Sequence, residues 1–150
     1  MRTVLQRVSS ARVAIARRVV GQIERGLLVL VSVEDADTAA DGEWLAQKIT
    51  KLRIFADAEG HMNLSVQDIA GGMLVISQFT LHASTQKGTR PSFHRAGKPE
   101  YAKPLYEQFV AQLATALGRP VATGEFGAYM DVALVNDGPV TLILDSKLRE

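Results

Sequence analysis

Residues 2–8 and 12–20 alternate apolar with polar positions and are rich in valine, with "SSA" between them. That pattern predicts a β-hairpin, with Val4, Val8, Val13 and Ile15 as core candidates. Gly21 interrupts the second run, and Gly26 opens "LLVLVSV". The unbroken apolar run Leu27 to Val33 predicts a strand buried on both faces. The period then changes. Leu45, Ile49 and Leu52 recur at helical spacing behind Asp and Thr residues near 35–38 that can cap a helix, predicted over about 37–53. "DAEGHMNLSVQDIAGG" has turn composition throughout. Met73 to Leu81 predicts a second buried strand that turns polar at Ser77 and Gln78. Residues 82–100 read as a long polar loop. "PEYAKPLYEQFVAQLATALG" reads as a helix, with Leu105, Phe109, Leu113 and Leu117 as its apolar stripe, Gly118 as its stop and Pro104 in its first turn or at its start. "PVATGEF", "MDVALV" and "VTLIL" predict three closing strands, and "SKLRE" (146–150) a frayed tail.

The predicted order is β-β-β-α-β-loop-α-β-β-β. Two helices cannot cover both faces of so many strands. The economical solution is a compact three-layer α/β/β fold in a single domain over 1–150, with barrel-like mixed sheets and two main helices on one side. The chain's 150 residues suffice for one sizeable core. A hydrophobic fraction of 47% and a charged fraction of 22% are ordinary for a globular chain. The net charge of +1 imposes no nucleic-acid or membrane partner, so any basic site must be local. Cysteine is absent, which excludes disulfides, thiol catalysis and zinc–thiolate sites. With neither an apolar leader nor a run of membrane-spanning length, a soluble, cytoplasmic protein is expected.

Candidate chemistry is sparse. The sequence holds no nucleophile elbow, no H-E-x-x-H and no Walker loop. His61, His82 and His94 are isolated from one another, a spacing that favours neither a metal set nor a triad. "ISQFTLHAST" is more informative. Ser77, Gln78, Thr80, Ser84 and Thr85 crowd polar groups at the end of a buried strand, where α/β ligand sites form, although a plain strand exit reads the same way. The long loop carries Lys87, Arg90, Arg95 and Lys98, with Lys103 just beyond, interleaved with Phe93 and Tyr101. It suits an RNA or phosphate surface, or simply a solvated loop. In "VALVNDGPVTLIL", Asp137-Gly138 between apolar runs signals a type I′ hairpin turn, with Pro139 opening an edge strand.

"SQFTL" at 77–81 followed by "NDGPVT" at 136–141 resembles the D-aminoacyl-tRNA deacylase family, of the D-Tyr-tRNA deacylase type. "QRVSSARV", "GLLVLVSV", "GTRPSF" and "TGEFGAYM" resemble it too, so the likeness spans essentially the whole chain. The resemblance implies a cytoplasmic, cofactor-free and metal-free homodimer that hydrolyses the ester of D-aminoacyl-tRNA or glycyl-tRNA. Its partners would be aminoacyl-tRNA and a second copy of the chain, with neither DNA nor a membrane. It implies two sites at the dimer interface. In each, a cis Gly138-Pro139 element from one subunit enters the site of the other as a chiral gate. Ser77, Gln78, Phe79 and Thr80 form the opposite, catalytic wall. Arg7 is expected near the Gly-Pro element, Phe126 and Met130 as adenosine or pocket contacts, and Asn136 and Thr141 as braces. The alternatives are a non-catalytic tRNA-binding module and a small-molecule esterase using Thr80.

Overall fold

The computed structural model describes residues 1–149. Its elements, in chain order, are β1 (Arg2–Ile15), β2 (Arg18–Ile23), β3 (Gly26–Ser32), α1 (Ala39–Lys51), β4 (Phe55–Ala56), β5 (Met62–Leu64), β6 (Gly72–Ser77), a 3₁₀ turn (Phe79–His82), α2 (Pro99–Leu117), β7 (Ala122–Thr123) and β8 (Asp131–Asp145). Six strands form one mixed sheet in the order β2-β1-β3-β6-β7, with β8 on the other edge of β1. β3, β6 and β7 run parallel, and β1 is antiparallel to β2, β3 and β8. The sheet curls until β2 approaches β7, which gives the expected barrel-like α/β form with two helices. Most of the anticipated second sheet is this curl, and the separate one is only the short β4–β5 pair.

The sheet alternation explains both cores. Leu27, Val29, Val31, Met73 and Val75 face the helices and join Leu45, Ile49, Leu105, Phe109, Leu113 and Leu117. Leu28, Leu74 and Ile76 point the other way, into the curl, with Val8, Ala11 and Val13. β3 is therefore buried on both faces, as its unbroken apolar run predicts. At Gly26 a Cβ would collide with the Gly72 carbonyl oxygen, so the β3–β6 contact begins where only glycine fits.

Several local expectations change. The first hairpin does not turn at "SSA": β1 runs straight through it. The reversal is at Ala16-Arg17, both at positive φ, with Ile15 paired to Arg18. Ser9 is instead an extra residue, because Val8 pairs Asn136 and Ser10 pairs Val135. The bulge shifts the parity so that Val8, Ala11 and Val13 share one face. Before it, Leu5 rather than Val4 is the wholly buried core position. The predicted strand from Met73 ends at Ser77 and winds into the 3₁₀ turn. The "turn" stretch contains β4–β5, and "PVATGEF" pairs only at Ala122–Thr123. α2 begins at Pro99, so Pro104 lies inside it rather than in its first turn, while Gly118 caps it in the left-handed conformation. The end of the chain is docked rather than frayed. Ser146 is buried and its N–H donates to the Met1 carbonyl, Lys147 Nζ meets Asp41 Oδ2 at 2.9 Å, and the Arg149 guanidinium lies 4.3 Å from the centre of the Trp44 ring. Glu150 of the predicted tail lies outside the described residues.

The largest departure is at "NDGPVT". The chain does not reverse there, and β8 is one strand paired to β1 along its length. Thr141 pairs Gln6 and Asn136 pairs Val8, so Asp137 to Val140 face Arg7 alone as a bulge. Val140 tucks into the main core, while Gly138 and Pro139 project into solvent. The Gly138-Pro139 peptide is cis. Arg7, itself 9% exposed, replaces the missing ladder bonds. Its Nε donates to the Asp137 carbonyl (3.1 Å) and faces the Asp137 carboxylate (3.0 Å), Nη2 donates to the Gly138 carbonyl (3.4 Å), and Nη1 donates to the Ile54 carbonyl (2.6 Å). Gln6 Nε2 donates to Asn136 Oδ1 (3.3 Å) at the bulge's base.

Arg7→Leu strips these carbonyls of a charged donor and should cost about 2 kcal/mol of stability, since bonds to charged groups exceed neutral ones. Urea unfolding reads the loss, and amide exchange should quicken at 137–140. A second prediction concerns α1. Thr38 and Asp41 form its capping box. Burial opposes ionisation of Asp41, but bonds from Lys147, Ser146 and the Thr38 N–H outweigh it and hold the carboxyl well below its ordinary range. With the folded value depressed, this contribution is complete above the unfolded value of 3.8 and is lost as pH falls toward the folded one. The urea midpoint should therefore fall below about pH 4 more steeply in the wild type than in Asp41→Asn. Parallel acid limbs would contradict the assignment.

Candidate functional site

The strand end of β6 builds one wall. Ser77 is half-buried at its last position, and the Gln78 N–H continues the ladder by donating to the Val31 carbonyl at 2.7 Å. The backbone then tightens into the 3₁₀ turn. Gln78 Nε2 donates to Thr80 Oγ1 at 2.6 Å. Among the described residues, no His, Asp, Glu or Lys side chain hydrogen-bonds Thr80 Oγ1. The hydroxyl thus has a partner that donates and none that takes its proton, which leaves it a weak nucleophile. Phe79 is 58% exposed, unusual for an aromatic beside a core strand. Its ring meets Phe93 of the long loop edge-on at 5.2 Å. The N–H groups at the start of a helical turn have no carbonyl to reach inside the turn, so those of Phe79 and Thr80 find no partner within it.

The long loop is tethered to this wall. Ser84 and Ser92 exchange backbone hydrogen bonds, the Gly97 N–H donates to the Val33 carbonyl, and Arg95 pairs with Glu34 at 3.3 Å. Lys87, Arg90, Lys98 and Lys103 remain exposed. His61 and His94 are exposed too, while His82 is buried inside the turn.

Phe126 and Met130 come from the segment after β7. Phe126 packs 5.8 Å from Tyr106 and lines a cavity of about 470 Å³ with Lys103, Tyr106, Glu107 and Thr123. A Cβ on Gly124 would lie 3.4 Å from Ile76 Cδ1 and would collide with Met130 Sδ. The two residues therefore flank the end of β6 from opposite faces, Phe126 on the helix side with Tyr106 and Val75, and Met130 on the curl side with Ile76.

The bulge is elsewhere. Arg2 Nη1 donates to the Leu81 carbonyl (3.1 Å), fixing the 3₁₀ turn beside the start of β1, whereas Gly138-Pro139 lies opposite Arg7. Five residue steps along β1, about 17 Å, separate these anchors. One chain thus groups Ser77, Gln78, Phe79 and Thr80 in one wall, with Phe126 and Met130 on either face of the same strand end, and groups Arg7, Asn136, Gly138 and Pro139 separately. Thr141 is exposed next to the second group, opposite Gln6. Ser32 and His82, which brace the turn, carry no motif that sequence reading could use.

A family model described as D-Tyr-tRNA(Tyr) deacylase matches residues 4–145. A relative from Opitutus terrae, named D-aminoacyl-tRNA deacylase, is 63% identical over 150 residues, covering 100% of both chains. Relatives of the same name from Flavobacterium psychrophilum and Dechloromonas aromatica are 57% and 53% identical, again over the full length of both chains. Among solved structures, one titled "c-Myc DNA Unwinding Element Binding Protein" superposes with a TM-score of 0.90 at 39% identity, covering 97% of this chain and 98% of that one. Another, titled as a probable eukaryotic D-amino acid tRNA deacylase, gives 0.82 at 19% identity over 95% and 97%, a likeness of fold alone. With the family model matched from the first strand to the end of the last, the chain belongs to the D-Tyr-tRNA(Tyr) deacylase family.

Proposed function

We propose that the hydrolysis for which this family is named, cleavage of the ester joining a D-amino acid to tRNA, takes place here in a site shared by two copies of the chain. The observation that carries the reading is that the two halves of the candidate site lie at separate places on one chain, each open to solvent. Gly138 adds to it. Among the described residues of its own chain, a Cβ there would meet only Asn136 Nδ2, at 3.4 Å, so none of them demands glycine. A surface that another molecule approaches closely supplies the demand. The opposite face of the sheet offers a matching contact. Val4 and Leu30 are partly buried neighbours, and Ile143 beside Val4 is 72% exposed. A homodimer that covers this apolar stripe brings one bulge toward the other chain's turn.

An aminoacyl ester is already activated. Its hydrolysis needs a placed water and donors for the oxyanion rather than a strong acid. The Phe79 and Thr80 N–H groups supply the donors, and the vicinal 2′-hydroxyl of the terminal ribose orients the water. Thr80 Oγ1 lacks a base and serves the wall rather than the attack. Phe126 and Met130 hold the terminal adenosine. The exposed lysines and arginines of the loop meet the phosphate backbone.

Selection runs by exclusion. The carbonyls of Asp137 and Gly138 are fixed by Arg7, so the tip is a rigid backbone wall rather than a yielding pocket. An L side chain would overlap it, while a D side chain points away. Glycine has no side chain to reject, so glycyl-tRNA is also a substrate. Such a substrate puts the enzyme in the cytoplasm, where aminoacyl-tRNA is found.

Matched deacylation assays on D- and L-tyrosyl-tRNA, glycyl-tRNA and free D-tyrosine ethyl ester test this. D-tyrosyl- and glycyl-tRNA should be cleaved, with L-tyrosyl-tRNA spared. Equal cleavage of both enantiomers contradicts the gate. Binding without turnover indicates an RNA-binding module, and turnover of the free ester indicates a small-molecule esterase. Thr80→Ala should keep activity within about tenfold of the wild type, because its backbone N–H remains. An aminoacyl adduct trapped on Thr80 would sink the backbone mechanism.

A further inference from the structure

The proposed site makes no use of His82, although it ends the turn that carries Phe79 and Thr80. Its side chain is wholly buried. His82 Nδ1 lies 2.7 Å from Ser32 Oγ, and Ser32 Oγ lies 3.2 Å from the Phe79 carbonyl oxygen. Ser32, 2% exposed, is the last residue of β3. Counting protons fixes the direction of these bonds. A carbonyl only accepts, so Ser32 gives its single hydroxyl proton to Phe79. Ser32 Oγ must then accept from His82, whose proton sits on Nδ1. Nε2 is left buried with no hydrogen-bond partner among the described residues, 3.8 Å from Glu34 Oε1. An apolar side chain would fill this place without stranding a nitrogen. What it could not supply is the Nδ1–H donor. Burial holds the imidazole below its ordinary pKa against the pull of Glu34, which keeps it neutral near pH 7.

The Phe79 carbonyl and the Thr80 N–H belong to one planar peptide and point in opposite directions, so whatever holds the oxygen aims the N–H. We propose that His82 and Ser32 are positioning residues: the relay from Nδ1–H through the Ser32 hydroxyl to the Phe79 carbonyl orients the Thr80 N–H toward the reacting ester. This rests on the reading that the Phe79–Thr80 backbone stabilises the oxyanion.

The test combines kinetics with a direct view of the imidazole. Ser32→Ala and His82→Leu should each lower kcat on D-tyrosyl-tRNA by about tenfold or more, with KM within about twofold, because the substrate still binds but the donor is misaimed. His82→Asn puts an amide nitrogen where Nδ1 lies and should restore most of kcat. His82→Gln, whose amide reaches the Nε2 position, should not. In the wild type, ¹⁵N NMR of the His82 ring should show a neutral Nδ1–H tautomer. An Nε2–H tautomer overturns the relay, as does an unchanged kcat in Ser32→Ala, or His82→Asn performing no better than His82→Leu. If His82→Leu fails to fold, Ser32→Ala with the tautomer decides. A covalent adduct on Thr80 would instead defeat the oxyanion reading while leaving the tautomer as stated, so the two failures are separable.

Discussion

Opposite Arg7, four residues of the last strand have no ladder partner, and a single guanidinium takes over the work of the missing backbone bonds. It spans three carbonyls from two parts of the chain, Ile54 on one side and Asp137 and Gly138 on the other. Arginine suits the task because its donors form a rigid planar fork and stay charged when buried. The residues on both sides of the bulge are held in register by β1, and Val140 is anchored in the main core. The tip of the bulge is therefore as fixed as the sheet that carries it. A proline in mid-strand is usually a defect in the ladder. Here the ladder has already parted, and the missing N–H costs nothing.

The long β1 strand organises the rest. Its first half pairs β3 and lies beneath the helices, and its second half pairs β2 and curls over the smaller core. The bulge at Ser9 is the switch between them, because one extra residue exchanges the two faces. The same strand carries Arg2, which holds the 3₁₀ turn, and Arg7, which holds the projecting tip. Both halves of the proposed site are thus tied to one rigid element, yet far enough apart that one chain does not close the site. In the proposed dimer, this spacing makes assembly a condition of activity.

Much of this was legible in the sequence. The Leu27 to Val33 run, the Leu105–Leu117 stripe and Gly118 are each determined by local period or backbone chemistry, and each sits where its pattern predicts. The two misplaced turns share a cause. "SSA" and "NDGP" have turn composition, but whether such a segment reverses the chain or bulges from it depends on a distant partner strand, which local pattern does not encode. The true reversal at Ala16-Arg17 lacks glycine, asparagine and proline, so it gave no signal. The site separated in the same way. "SQFTL" and "NDGPVT" stood out through the family resemblance, while Ser32 and His82 acquire meaning only when the end of β3 and the 3₁₀ turn are brought together.

The central claim is that the site is completed across two chains, and mixing two defective variants tests it most directly. One carries Thr80→Pro, which removes the backbone donor, and the other lacks the Gly138-Pro139 tip. Each alone should be inactive on D-tyrosyl-tRNA. Unfolded together in equal amounts and refolded, they should regain about a quarter of wild-type activity, because half the dimers are mixed and each mixed dimer holds one intact site of two. If each chain built its own site, no combination would hold an intact one, and the mixture would stay as inactive as its parents.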